Sequence, residues 1–232
     1  MPFVPGTQLR IDALRSASAQ LISTGIAQQT VPNQFRIGLY TFANSVTTLS
    51  DVTTNLSVVA DAQFGHRAAD DGSRHTDRRL HQRARNGLAQ IKVTASESGT
   101  QASPYKYVFI VTDGVEDQAF NIIPGASDNL QSPTGSWYGT VYSGVLNSAA
   151  CSSVKAKGVT VAVLYTNYYS LTDPSPYRYT QMVAPFAANI APALQACASP
   201  NFFFQASSAS DIHTAMQQMF PKALRQSARL TN

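Results

Sequence analysis

Among 232 residues, the side chain best placed to do chemistry is Asp113. It stands in Thr112-Asp113-Gly114, directly after the run Tyr105 to Thr112, whose aromatic and β-branched residues read as a buried strand. A carboxylate at the carboxyl end of a strand, followed by a flexible glycine, can meet a ligand or a hard cation. The same carboxylate can instead cap its own loop, and the tripeptide is compatible with both. Glu116 and Asp117 follow closely, as further acceptors or as solvated loop charges. Cys151 and Cys197 are the two cysteines, too few and too far apart for a metal site. They read as two buried thiols or as one disulfide, which an oxidising compartment allows. Each is expected near the end of a helix that precedes a strand, at the same end of a sheet. His66, His75 and His81 lack the helical spacing of a zinc site, and His213 falls on the surface of the last helix. A Gly-x-Ser-x-Gly nucleophile motif and a glycine-rich phosphate loop are both missing from the sequence, so nothing in it favours an enzyme.

These residues need elements to position them. The pattern predicts a helix over about Gln8 to Ser23, capped by Thr7, with Ile11, Leu14, Ala17 and Leu21 on one face. A strand follows over Phe35 to Phe42, then a short edge strand over Val46 to Leu49, and a helix over Asn55 to Gln63. Another helix is expected over about Leu80 to Val93. After the strand ending at Thr112, the Pro- and Gly-containing stretch from Asp113 to Gly139 reads as a long loop. A helix is expected from Val141 to Lys157, stopped by Gly158. Val159 to Tyr165 is another buried strand, Asn167 to Thr180 a second loop, Met182 to Ala196 a helix interrupted near Pro185 and Pro192, and Asn201 to Gln205 a short strand. The last helix, Ser208 to Arg229, is capped by Ser208 or Ser210. Alternating strands and helices imply one α/β domain, with a mostly parallel, doubly wound sheet, helices on both faces, and ligands at the carboxyl ends of its strands.

Composition narrows the partners. Charged residues are 13% of the chain, about half the usual share, which fits an envelope or secreted protein better than a cytosolic enzyme. The net charge of +4 is concentrated between Arg67 and Arg85, within the stretch Gly65 to Gly87, whose unusual composition includes three of the four histidines. It carries neither interleaved aromatics nor a nucleic-acid-binding motif, so no nucleic-acid partner is expected. The sequence shows no secretory signal and no apolar run of the length a membrane span needs.

Three stretches, Leu9-Arg-Ile-Asp-Ala-Leu-Arg-Ser-Ala17, Phe35-Arg-Ile-Gly-Leu-Tyr-Thr-Phe42 and Tyr107-Val-Phe-Ile-Val-Thr-Asp-Gly114, resemble the succession of elements in von Willebrand factor A domains. Cys151-Ser-Ser-Val-Lys-Ala-Lys-Gly-Val159, the strand end Val163-Leu-Tyr-Thr166, Ala196-Cys-Ala-Ser-Pro200, the aromatic run Phe202 to Phe204 and the ending Ala228-Arg-Leu-Thr231 resemble, more specifically, the TadG-like assembly proteins of tight-adherence (Tad, Flp-type) pili in Gram-negative bacteria. The resemblance covers nearly the whole chain and is weakest between Gly65 and Gly87.

The resemblance implies a non-enzymatic binding or assembly module of the cell envelope, periplasmic or at the cell surface. Its partners would be proteins of the pilus machinery, and full-length members are membrane-anchored. The alternative is a structural or solute-binding α/β domain without metal. The family often carries a metal ion-dependent adhesion site that holds Mg²⁺ or another divalent cation. Asp113 matches the aspartate of its third loop, and Thr76, in His75-Thr76-Asp77, stands for the threonine of its second. The Asp-x-Ser-x-Ser loop and the central strand before it have no counterpart, and Met1 stands about where the family's first helix begins. The expectation is thus a domain incomplete at its start, with a gap, a direct pairing or a foreign segment where that strand would lie, and with weak cation binding. Trp137 and Tyr138 in the first long loop, and Tyr168, Tyr169, Tyr177 and Tyr179 in the second, are the candidate partner-binding residues, because tyrosine and tryptophan bury much area yet keep a polar tip. The two loops are expected to lie side by side.

Overall fold

The apolar run near residue 160 forms a strand covered on both faces, and the rest of the architecture follows from that burial. The structure is a computed structural model and describes residues 10–42, 46–65, 104–119, 131–132, 135–138, 141–167 and 179–229. Its elements, in chain order, are α1 (Arg10–Ala27), β1 (Ile37–Phe42), β2 (Val46–Thr53), α2 (Leu56–Gly65), β3 (Tyr107–Thr112), β4 (Val115–Ala119), β5 (Gln131–Ser132), β6 (Gly135–Tyr138), β7 (Val141–Val145), α3 (Ser148–Lys155), β8 (Thr160–Thr166), a π-helix (Tyr179–Val183), α4 (Ala187–Cys197), β9 (Phe203–Ala206) and α5 (Ala209–Arg229). The expected helix over Leu80 to Val93 and the cap at Thr7 lie outside the described residues.

β3, β8 and β9 make a parallel sheet in that order, with Ile110 opposite Val163 and Leu164 opposite Phe204. Successive residues of β8 point to opposite faces. Val161, Val163 and Tyr165 enter one core with Cys151 and Val154 of α3 and Ile190, Leu194 and Cys197 of α4. Ala162 and Leu164 enter the other, with Ala17 of α1 and Ile212, Ala215, Met216 and Met219 of α5. Helices therefore cover both faces, as a doubly wound α/β sheet requires. A smaller third core joins Ile22 of α1 and Leu56 and Val59 of α2 to Ile37 and Leu39 of β1.

Four sequence expectations are corrected. Val46 to Thr53 is a full strand that pairs antiparallel with β1, longer than the short edge piece expected; its Thr-rich, poorly alternating composition hides a half-exposed hairpin strand. The stretch Asp113 to Gly139 is not simply a loop, because β4, β7, β6 and β5 form an antiparallel sheet in that order. β4 reads Val-Glu-Asp-Gln-Ala, with no apolar run; cross-strand pairing, which lies outside the local pattern, makes it a strand. The expected helix from Val141 is split: residues 141–145 form β7, and α3 begins only at Ser148. The local signal was present, since Asn147 caps α3 by accepting the Ala149 N–H on Oδ1 at 3.0 Å, and Gly144 lies before it. Finally, Pro192 lies inside α4 without interrupting it, and only the turn at Pro185 separates α4 from the π-helix. Burial of Ile190, Leu194 and Cys197 on both sides of the proline holds the helix together against the lost hydrogen bond.

Two termini carry the predicted chemistry. Gly158 adopts φ 74° and ends the turn after α3. Ser208 caps α5: its Oγ accepts the Asp211 N–H at 3.1 Å, and Asp211 Oδ2 accepts the N–H groups of Ser208 and Ser207, both at 2.9 Å. This is a reciprocal capping box with aspartate in the usual place of glutamate.

Candidate metal and partner-binding face

The carboxyl ends of β3, β8 and β9 come out at one edge of the parallel sheet. β3 leaves the core at Thr112-Asp113-Gly114. Thr112 Oγ1 accepts the Gly114 N–H at 3.0 Å, and Asp113 Oδ1 accepts the Val115 N–H at 3.2 Å. Together they form a tight turn that sends the chain into β4. Gly114 is buried with φ 79°, and a Cβ there would stand 2.7 Å from Leu194 Cδ1 and closer still to Ile190 Cγ2. The glycine is required twice over, by the left-handed backbone and by the approach of α4. Asp113 is partly exposed at the strand end, as the sequence placed it, and at least one of its oxygens is engaged in shaping the loop.

The ends of β8 and β9 are joined by a polar rim that sequence reasoning missed. The Asn167 N–H donates to the Ala206 carbonyl at 2.9 Å. Its Nδ2 donates to Ser207 Oγ at 2.7 Å, and its Oδ1 accepts from Gln205 Nε2 at 2.7 Å. The signal available was weak: Asn and Ser directly after strands are turn formers whose side chains bond to nearby backbone. Asp211 stands next to this rim, and its carboxyl is held below the usual aspartate range, first by the Ser207 N–H and then by the hydroxyl and N–H of Ser208.

Of the candidate partner-binding residues, Trp137 and Tyr138 lie in β6, a strand rather than a loop, opposite Tyr142 and Val141 of β7. Tyr179 opens the π-helix, is half-buried and packs against the core shared by β8, α3 and α4, so it has a structural role whatever else it does. The π-helix packs on β6 and β7, which brings the described ends of the two long connections together. Tyr168, Tyr169 and Tyr177 lie outside the described residues. So does Thr76, and so do His66, His75 and His81. His213 is half-buried on α5.

A divalent cation of the Mg²⁺ or Ca²⁺ type takes about six or more oxygen ligands. Among the described residues there is no group of three His, Cys, Asp or Glu side chains that could hold a metal. Asp113 is a single carboxylate with one oxygen already accepting a backbone N–H, so the described residues alone do not make a cation site.

Cys151 and Cys197 are joined in a disulfide with Cα atoms 5.1 Å apart. Their placement differs from expectation: Cys197 is the last residue of α4, whereas Cys151 sits in the middle of α3. Lys155, one turn on, donates from Nζ to the Ala196 and Ala198 carbonyls at 2.7 and 3.3 Å, so the same two helices are tied a second time.

No family model matches the sequence. No curated protein matches it either. Solved structures do. The von Willebrand factor domain of the type V pili tip protein Mfa5 from Porphyromonas gingivalis aligns over 94% of this chain and 89% of its own, with a TM-score of 0.57 and 12% identity. The fold is von Willebrand factor A-like. The PilB minor pilin from Streptococcus sanguinis aligns over 98% of this chain and 57% of its own, at TM-score 0.53 and 10% identity. Proximal thread matrix protein 1 of the mussel byssus, in a structure with zinc in its metal ion-dependent adhesion motif, aligns over 92% of this chain at TM-score 0.52 and 13% identity. The chain spans about 43% of that protein's length. At such identities the likeness is one of fold.

Proposed function

We propose that this chain is a non-enzymatic, protein-binding module of the cell envelope that serves the assembly or anchoring of pili, of the tight-adherence type that its sequence motifs resemble. The observation that supports this reading best is the likeness of fold to a pilus tip domain over nearly the full length of both chains. The binding surface we assign is the carboxyl-end face of the sheet, with the strand bearing Trp137 and Tyr138, the segment bearing Tyr168, Tyr169 and Tyr177, and the start of the π-helix at Tyr179. In this reading Asp113 and Thr76 each give one oxygen to a divalent cation, and a partner carboxylate supplies another, since a hard cation accepts oxygen from both sides of an interface. With a single, partly engaged carboxylate among the described residues, the cation contributes little affinity by itself.

The test is binding of the purified chain to the major pilin and envelope proteins of its host's tight-adherence pilus, measured by biolayer interferometry. Tyr168→Ala and Tyr177→Ala are expected to weaken binding about tenfold or more, as interface aromatics do, with the melting temperature unchanged. Binding left intact while the melting temperature falls would mean that the tyrosines only hold their segment in place. It would favour the reading of a structural or solute-binding domain without metal.

A further inference from the structure

From Val141 to Arg229 the sequence holds two acids, Asp173 and Asp211, and the fold sets the cations of this region together. Five of them stand at the amino ends of the parallel strands. Lys106 directly precedes β3, and its carbonyl accepts the Thr160 N–H at 3.0 Å, which places it beside the start of β8. Lys155 ends α3, and Lys157 lies in the turn into β8. Lys155 Nζ donates to the Ala196 and Ala198 carbonyls at the end of α4, and Ser199 Oγ ties that turn to β8 by accepting the Val161 N–H at 3.0 Å. Lys222 Nζ donates to the Asn201 carbonyl, just before β9, and stands 5.4 and 5.5 Å from the ring centroids of Phe202 and Phe204. Arg225 follows three residues later on the same side of α5. The Tyr107 hydroxyl brings that part of α5 to the start of β3, donating to the Ala223 carbonyl at 3.0 Å.

The acids are at the other end. Asp113 follows β3, and Asp211 stands in the first turn of α5 beside the carboxyl ends of β8 and β9. β3, α3, β8, α4, β9 and the turns 156–159 and 198–202 contain no acid at all. Lys155 and Lys222 also serve carbonyls, as cations do at helix carboxyl ends, but a carbonyl leaves a lysine its charge. Lys157 and Arg225 are exposed. The stretch 66–103, which leads into β3, holds seven basic residues against four acidic ones, so its formal charge does not offset the five. β3 and β8 have six and seven residues, which sets the two ends roughly 20 Å apart. That exceeds the screening length of about 8 Å at physiological ionic strength, so each end presents its own sign.

We propose that the amino-end face of the parallel sheet docks on the anionic headgroups of a lipid bilayer. A group of four to eight cations is what such a surface attracts, at roughly fivefold in affinity per cation. A planar partner suits the sorted charges: attraction at one end and repulsion at the other hold the domain upright. Asp113 and the protein-binding face then point away from the membrane. The turns 156–159 and 198–202 expose no large apolar side chain, so the attachment is by charge without insertion and is released by salt. Nucleic acid fits less well, because Phe202 is buried and Phe204 half-buried beneath Lys222, leaving no exposed ring for a base to stack on among these residues. The choice of a membrane rests on the envelope-module reading; the sorting of charge does not.

Co-sedimentation of the 232-residue chain with vesicles tests it. Vesicles of phosphatidylcholine alone are compared with vesicles in which about a third of the lipid is phosphatidylglycerol. The chain is expected to sediment only with the anionic vesicles, and to be released when NaCl is raised from about 0.05 to 0.5 M. The double variant Lys157→Gln, Arg225→Gln should bind them about tenfold more weakly or worse. Ser210→Glu, Thr214→Glu changes the net charge equally, but near the start of α5, and should stay within about twofold of the wild type. All four side chains are exposed, so both variants should melt with the wild type. Equal losses in the two variants would overturn the proposal, because net charge alone would then drive binding. Equal sedimentation with both kinds of vesicle, or with neither, would overturn it as well. Retention on immobilised polyglutamate without vesicle binding would assign the face to an acidic protein instead. No pilus protein enters the assay, so its failure leaves the envelope reading to its own binding test.

Discussion

Gly114 shows how closely one residue can be specified. Its φ of 79° and the contact of α4 leave no room for a side chain. Gly114→Ala should cost about 1–3 kcal/mol from the overpacking alone, with the backbone strain adding to it. In a chain of this size that lowers the melting temperature by several degrees, at about 2–4 °C per kcal/mol. A variant that melts with the wild type would mean that the turn after β3 is free to move away from Ile190 and Leu194. Asp211 makes a second residue-scale case. Its pKa is lowered in the folded chain by the N–H groups and hydroxyl it accepts from. A carboxylate with a depressed folded pKa adds stability above its unfolded value of about 3.9, and that contribution disappears as the pH falls through the folded value. Asp211→Asn should therefore melt below the wild type at pH 7, and the two curves should converge as the pH drops below about 4. A difference that stayed constant with pH would assign the effect to hydrogen-bond geometry and not to charge.

At the scale of elements, α3 and α4 are joined by more than apolar packing. The Cys151–Cys197 disulfide and the Lys155 contacts to Ala196 and Ala198 both tie them, over the buried faces of Val161, Val163 and Tyr165. The bond closes a loop with a sequence separation of 46. In the chain-entropy model a loop of that length is worth about 4 kcal/mol, and measured values usually run at 2–4. The double variant Cys151→Ala, Cys197→Ala, or the wild type under reductant, should lose about 2–4 kcal/mol in a denaturant titration. Equal stability with and without reductant would mean that the thiols pack as well apart as joined. The antiparallel β4–β7 sheet is fixed differently. Its strands have weak strand character in isolation, and the pairing of Val115 with Val145 and Ala119 with Val141 gives them their register.

For the whole molecule, the prediction concerns the parallel β3–β8–β9 sheet, which carries Asp113 just after the carboxyl end of β3. Among the described residues Asp113 is a single carboxylate with one oxygen already accepting a backbone N–H, which gives a cation little to hold. Mg²⁺ at millimolar concentration should thus shift the midpoint by less than about 1 °C, because stabilisation follows RT ln(1 + [L]/Kd) and Kd is expected to exceed the metal concentration. A midpoint raised by several degrees in Mg²⁺ would show a complete cation site.

What the sequence determined by itself was whatever burial writes locally. Tyr107 to Thr112 and Val161 to Tyr165 are apolar at nearly every position because both faces are covered, and that pattern identifies a parallel strand without knowledge of its neighbours. Ser208, Gly158 and Asp113 were readable for the same reason: a cap or a turn is made within a few residues of the chain. Only the tertiary structure decided the rest. Val115 to Ala119 is a strand because Val141 to Val145 lies beside it. Asn167, Gln205 and Ser207 form a rim because β8 and β9 end together. Phe35, just before β1, and Tyr107, at the start of β3, meet the same helix because α5 runs past both. These contacts join residues far apart in the chain, and their strength depends on a partner that no local window contains.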